Sequence, residues 1–164
     1  MGYSARPVLL IALLFSSWAM ALKPGDKLPD FVMPADNGWP QRLSEQIGSP
    51  VMLIWLDDCD ACGETLVEWQ YLAESRAHKG LQTWFLYQPK EGDRKTRSRL
   101  PLLRYQPTNK NAWWFAETPA VMLVSPDGVL DHLYVKDVDE RKDEIATSMD
   151  RWLQKEAWLQ ADTE

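Results

Sequence analysis

Cysteine and histidine are scarce in this 164-residue chain, with two of each. A zinc site built on the cysteine pair would have to recruit His78 and His132, which are far apart in sequence and lack ligand spacing. Positive charge is short as well. The net charge of −6 leaves no overall basic field to hold a phosphate backbone, which argues against nucleic acid as the main partner. A membrane-spanning run is also missing, because the apolar stretch at 8–15 falls short of the roughly 20 residues a spanning helix needs. Internal repeats, low-complexity segments and any sign of a second domain are absent too. What is abundant is apolar material, at 45% of residues and with nine tryptophans, enough for one domain with a real core.

Residues 1–21 read as a secretory signal, leaving 22–164 as the folded domain. Arg6 supplies a positive start, 8–15 an apolar core, and Ala19-Met20-Ala21 an A-x-A cleavage site. The alternative is an uncleaved anchor, the one route to the membrane open to this chain. The polar Lys23-Pro24-Gly25-Asp26 that follows at once favours cleavage. Either way the domain is expected outside the cytoplasm, where disulfide chemistry is at home.

Hydrophobic periodicity predicts the elements. A short strand at 29–33, an Asp36-Asn37-Gly38 turn and a return strand at 39–43 suggest a hairpin at one edge of a sheet. Residues 50–57 are nearly all apolar, as in a strand buried on both faces. A helix is expected over 59–79, with Leu66, Trp69 and Ala73 as its apolar stripe, Val67 and Leu72 widening it, and Gly80 as its stop. A second strand at 81–87 completes a right-handed βαβ unit. Residues 88–112 are polar and locally basic, and a helix over 94–103 is interrupted by Pro101. Strands at 120–124 and 129–135 flank the Ser125-Pro126-Asp127-Gly128 turn, and a helix is expected over 139–159, with Ile145, Met149, Trp152 and Leu159 on a stripe broken by Glu156 and with Asp139, Glu140, Asp143 and Glu144 in its N-terminal turns. The order implies an α/β fold with one central mixed sheet flanked by helices and an N-terminal β-hairpin extension.

The two cysteines stand three apart, Cys59-Asp60-Ala61-Cys62, where the apolar strand gives way to the helix. A C-x-x-C there suits thiol–disulfide exchange. The first sulfur sits at the helix mouth, near unpaired N–H groups and the positive dipole end, and is the expected nucleophile. Cys62, one turn in, is the expected resolving thiol. Asp57, Asp58 and Asp60 surround Cys59, and negative charge disfavours a thiolate, so the couple is expected to be reducing. An inert structural disulfide stays open, although so short a loop removes little chain entropy.

These residues resemble the thioredoxin-fold proteins of the exported, TlpA-like type, relatives of the cytochrome c maturation reductases and, more distantly, of the peroxiredoxins. The likeness spans about 24–156. It rests on Gly25-Asp26-Lys27-Leu28-Pro29-Asp30-Phe31, the strand ending near Trp55, the Cys59 to Cys62 motif, Thr118-Pro119 and Ser125-Pro126-Asp127-Gly128. It implies a three-layer thioredoxin-like fold in which Pro119 is cis and faces the cysteines. Thr118 and Pro119 would then position the backbone of a partner peptide. The departures are specific. Asp58 stands where the family commonly has tryptophan, Leu53 where thioredoxins bury an acid, and Thr65 where cytochrome-maturation relatives often carry glutamate. Glu64 or Glu68 is left as a substitute proton acceptor, and Trp55, Trp113 and Trp114 as candidate lining of a partner groove. The peroxiredoxin pattern is absent, with Met52 and Leu56 at its proline and threonine positions.

The function implied is that of a protein-disulfide reductase in the bacterial periplasm, or anchored to the inner membrane facing it. Its partners would be proteins carrying disulfides or thiols, together with a membrane electron donor. No metal and no cofactor beyond a redox-active Cys59–Cys62 disulfide are expected. Two alternatives stand beside it: a binding or chaperone-like module that works through its aromatic groove, and a disulfide oxidase or isomerase.

Overall fold

The structure is a computed structural model that describes residues 22–35, 38–56, 62–87, 98–104 and 119–161, without the side chains of 62–65 and 156–161. In chain order its elements are β1 (Val32–Pro34), β2 (Pro40–Arg42), β3 (Val51–Trp55), α1 (Cys62–Glu74), β4 (Gln82–Tyr87), β5 (Leu102–Arg104), β6 (Ala120–Val124), β7 (Leu130–Val135) and α2 (Lys142–Ala161). Short 3-10 turns occupy Leu43–Gln46 and Ala77–Lys79. The expected signal segment lies outside the described residues.

β3 and β6 contain no polar side chain, and both are buried along their whole length. Such strands need neighbours on both edges and cover on both faces. They pair antiparallel with each other, and β4 flanks β3 in parallel. β5 adds in parallel to β4, and β7 antiparallel to β6, giving the order β5-β4-β3-β6-β7. The β1–β2 hairpin forms its own two-stranded sheet beside β5, where Ala35 bridges Leu103. The β6–β7 turn closes as expected: Gly128 N–H donates to the Ser125 carbonyl at 2.9 Å, with Gly128 at φ +84°.

Alternation along the strands sorts the core into two layers. Met52, Ile54, Phe85, Val121 and Leu123 face one way, against Leu66, Trp69 and Ala73 of α1 and Ile145, Met149 and Trp152 of α2. Both described helices therefore cover the same face. Leu53, Trp55, Trp84, Leu86 and Met122 face the other way, where the described cover is the N-terminal segment, through Leu28, Phe31, Met33 and Leu43. Phe31 meets Trp84 edge to face, with ring centroids 6.0 Å apart.

Four local expectations are corrected. Residues 102–104 form a strand where a helix over 94–103 was envisaged. Leu102 and Leu103 bury on opposite faces of the sheet, which only an extended chain permits, and the Pro101 carbonyl accepts from Phe85 N–H at 2.9 Å. α1 ends at Glu74 because Ser75 Oγ and Arg76 Nη1 both donate to the Leu72 carbonyl, at 2.8 and 3.0 Å. α2 starts at Lys142, three residues late, after Lys136 and Asp137 take the left-handed region at φ 58° and 44°. Val67 does not widen the apolar stripe of α1 but is 61% exposed.

Between the helices, Arg76 grips Asp150 through Nε at 3.1 Å and Nη2 at 2.6 Å, and Lys79 Nζ adds a 2.8 Å contact. Hydrogen bonding from Arg76 holds the Asp150 carboxyl below its ordinary value, and Lys79 adds to this. The pair is partly solvated, so Asp150→Asn is expected to cost only about 0.5–1 kcal/mol at neutral pH. A carboxylate depressed in the folded state stabilises above its unfolded value and loses that contribution as pH falls through the folded value. The gap between wild type and variant, measured by urea melts, should therefore be full at pH 7 and close below about pH 4. A gap independent of pH would contradict the assignment.

Candidate functional site

Parallel pairing of β3 with β4 and antiparallel pairing with β6 make one end of the sheet chemically distinct. At the C-terminal end of β3, Leu56 N–H donates to the Leu86 carbonyl at 2.9 Å, carrying the parallel ladder one residue past the strand. Cys62, the next described residue, is the first of α1. The first-turn N–H groups of a 13-residue helix have no intrahelical partner, so its positive end sits at this mouth. On the other side of β3, Trp55 is in register with Ala120, the first residue of β6. Pro119, half-buried, precedes Ala120 directly. The end of β3, the start of α1 and Pro119 are thus at the same end of the sheet. Cys59, Thr118, Trp113 and Trp114 lie outside the described residues, as do the side chains of Cys62 and Glu64.

Two other candidate residues have defined surroundings. Trp55 is 6% exposed and belongs to the core layer on the face away from the helices. Glu68 is exposed on α1, where its carboxylate accepts from Lys142 Nζ. The same ammonium lies 5.5 Å from the centre of the Trp69 ring. Trp69 is fully buried, and its indole N–H donates to Asp139 Oδ1 at 2.7 Å. A helix beginning with Cys62 is thereby locked to the segment leading into α2. Sequence reasoning saw Asp139 only as an acid near a helix N-terminus. Its pairing with a tryptophan 70 residues away has no local signal.

Leu53 is fully buried between Trp84 and Met122 on the neighbouring strands, inside an apolar layer. Its described neighbours in that layer are apolar side chains, none of which could share a proton with an acid placed there. Among the described residues, no group of three or more His, Cys, Asp or Glu side chains could hold a metal ion.

No protein-family model matches the chain, and no curated protein matches it. Solved structures do. The thioredoxin domain of a thiol-disulfide oxidoreductase from Bacteroides vulgatus matches with a TM-score of 0.67 at 13% identity, over 81% of this chain and 99% of that one. A thiol:disulfide interchange protein from Bacteroides sp. matches at 0.66 and 14%, over 82% and 93%. Peroxiredoxin Q from Xanthomonas campestris matches at 0.65 and 14%, over 80% and 99%. The fold is thioredoxin-like. At these identities the likeness carries the fold alone.

Leu53→Asp is therefore expected to bury an unpartnered carboxylate and to cost about 3 kcal/mol or more at pH 7. Burial would push that carboxyl's titration upward, so the loss should shrink as pH is lowered toward 4. Chemical melts at both pH values test this. A near-neutral substitution would show that the site is not dry and apolar.

Proposed function

We propose that the chain is an exported thiol–disulfide oxidoreductase that reduces disulfides of partner proteins through Cys59 and Cys62. The observation that carries the reading is the position of Cys62. It begins a helix that follows the central strand, at the sheet end where Pro119 leads into β6. The names of structural neighbours, thiol-disulfide oxidoreductase and thiol:disulfide interchange protein, point the same way.

In the proposed cycle the Cys59 thiolate attacks one sulfur of the partner's disulfide. A Cys59–partner mixed disulfide forms, and the other partner sulfur leaves as a thiolate that takes up a proton. Cys62, deprotonated, then attacks the Cys59 sulfur and releases the second partner thiol. Two electrons have passed to the partner and Cys59–Cys62 is oxidised. A membrane dithiol donor must restore the dithiol, since the compartment is oxidising. Thr118 and Pro119, the latter cis in this reading, align the partner backbone. Glu64 is the remaining candidate to take the Cys62 proton, because Glu68 is engaged by Lys142. Trp113 and Trp114 are the groove candidates. Residues 1–21 direct export to the bacterial periplasm, or hold the domain at the inner membrane.

Asp57, Asp58 and Asp60 beside Cys59 disfavour the thiolate and so the dithiol state. The couple is expected near the thioredoxin potential of about −270 mV rather than the about −120 mV of a strong periplasmic oxidant. Equilibration with redox buffers measures it, and a value close to the oxidant's would overturn the reductase direction. Cys62→Ser should accumulate partners as mixed disulfides that dithiothreitol releases, and Cys59→Ser should accumulate none. Recovery of no thiol-dependent adduct would overturn the exchange mechanism itself.

A further inference from the structure

A concavity lies away from the sheet end that carries Cys62. It is a cleft of about 410 Å³ between β7 and the C-terminal half of α2, lined by Asp131, His132, Ser148, Arg151, Trp152 and Lys155. Its lining includes several donors that no acceptor among the described residues engages.

Arg151 and Lys155 stand at i and i+4, on one face of α2, and both are exposed. Neither pairs with an acid among the described residues. Arg42, Arg76, Lys79, Arg99, Arg141 and Lys142 all do. Two like charges one turn apart repel, and the chain is acidic overall, so counter-charges are not in short supply.

The neutral groups point the same way. Ser148 Oγ accepts from the Tyr134 hydroxyl at 2.6 Å, which leaves its own O–H to donate. His132 Nδ1 is buried with no partner. A neutral imidazole whose Nδ1 has no acceptor carries its N–H on Nε2. That N–H is then the one polar group His132 can turn toward the cleft. Asp131 is the single acid in the lining, and its Oδ2 is occupied by the Trp152 indole N–H at 2.8 Å. A guanidinium, an ammonium, a hydroxyl and an imidazole N–H call for a ligand with several acceptor oxygens and negative charge. The guanidinium fork and ammonium charge match a phosphate group in particular.

We propose that the cleft between β7 and α2 binds a phosphate group, carried either by a small anion or by a phospholipid headgroup. The site is independent of the thiol chemistry, since none of its residues lies at the sheet end bearing Cys62.

The test is titration of the full chain, labelled with nitrogen-15, with inorganic phosphate, at ionic strength held constant with chloride. Saturable shifts confined to amides of β7 and the second half of α2 are expected. Arg151→Gln combined with Lys155→Gln should weaken binding at least about tenfold, or roughly 1.4 kcal/mol. Ser148→Ala, which leaves every charge in place, should weaken it several-fold, whereas Cys59→Ser with Cys62→Ser should leave it unchanged. Sedimentation with phosphatidylcholine vesicles, with and without phosphatidic acid, separates the two sources. Retention by phosphatidic acid that needs Arg151 and Lys155 identifies a headgroup. Phosphate binding without retention identifies a small anion. Shifts that fail to saturate, that chloride reproduces, or that Ser148→Ala leaves intact would mean an adventitious ion only and overturn the proposal. Vesicle binding without a phosphate titration would overturn it as well.

Discussion

β3 and β6 are apolar on both faces, and no part of the molecule can be understood without that constraint. Strands of this kind cannot sit at an edge or leave a face to water, so each must be flanked and sandwiched. One face takes α1 and α2 together. The other takes the N-terminal segment and its hairpin, whose Phe31 and Met33 would otherwise have nowhere to bury. The antiparallel register of β3 with β6 then has a chemical consequence. It sets the residue before β6, Pro119, beside the strand end that leads toward α1. The candidate site is thus a by-product of how two hydrophobic strands are paired.

Polar contacts add to the packing that holds α1 on that scaffold. Its buried stripe is short, and its C-terminal turn gives way to a 3-10 turn. Compensation comes from side chains reaching across to α2 and its lead-in: Trp69 to Asp139, Lys142 to Glu68, and Arg76 to Asp150. Each joins residues about 70 positions apart in sequence. The Trp69 bond matters most for a buried ring, because an indole N–H left without an acceptor in the core would cost about 1–3 kcal/mol.

Much of the layout was legible before any coordinates. The βαβ spacing, the Ser125 to Gly128 turn, the N-terminal hairpin and the Ile145–Met149–Trp152 stripe all follow from periodicity and turn chemistry, which are local properties. The misses share a different cause. β5 is three residues long and extended because β4 and two core layers are waiting for it. α1 stops early because Ser75 and Arg76 cap it, not because Gly80 ends it. α2 starts late behind two left-handed residues that no composition rule would place there. Of the candidate site, the places of Cys62 on α1 and of Pro119 before β6 were legible as motif and pattern, while the engagement of Glu68 and the burial of Trp55 were not.

Taken alone, the sequence determined most of the strands and helices, β5 excepted, where the cysteine pair falls in the order of segments, and that the central strands are buried on both faces. Those conclusions depend on neighbours within a few residues, where spacing and side-chain type suffice. Only the tertiary structure decided that both described helices share a face, that Leu53 sits among apolar side chains of neighbouring strands, and that Arg151, Lys155, Ser148 and His132 line one cleft. These depend on which strand lies beside which and on where distant side chains meet. Such contacts are selected by the packing of the whole core, and no stretch of the chain encodes them by itself.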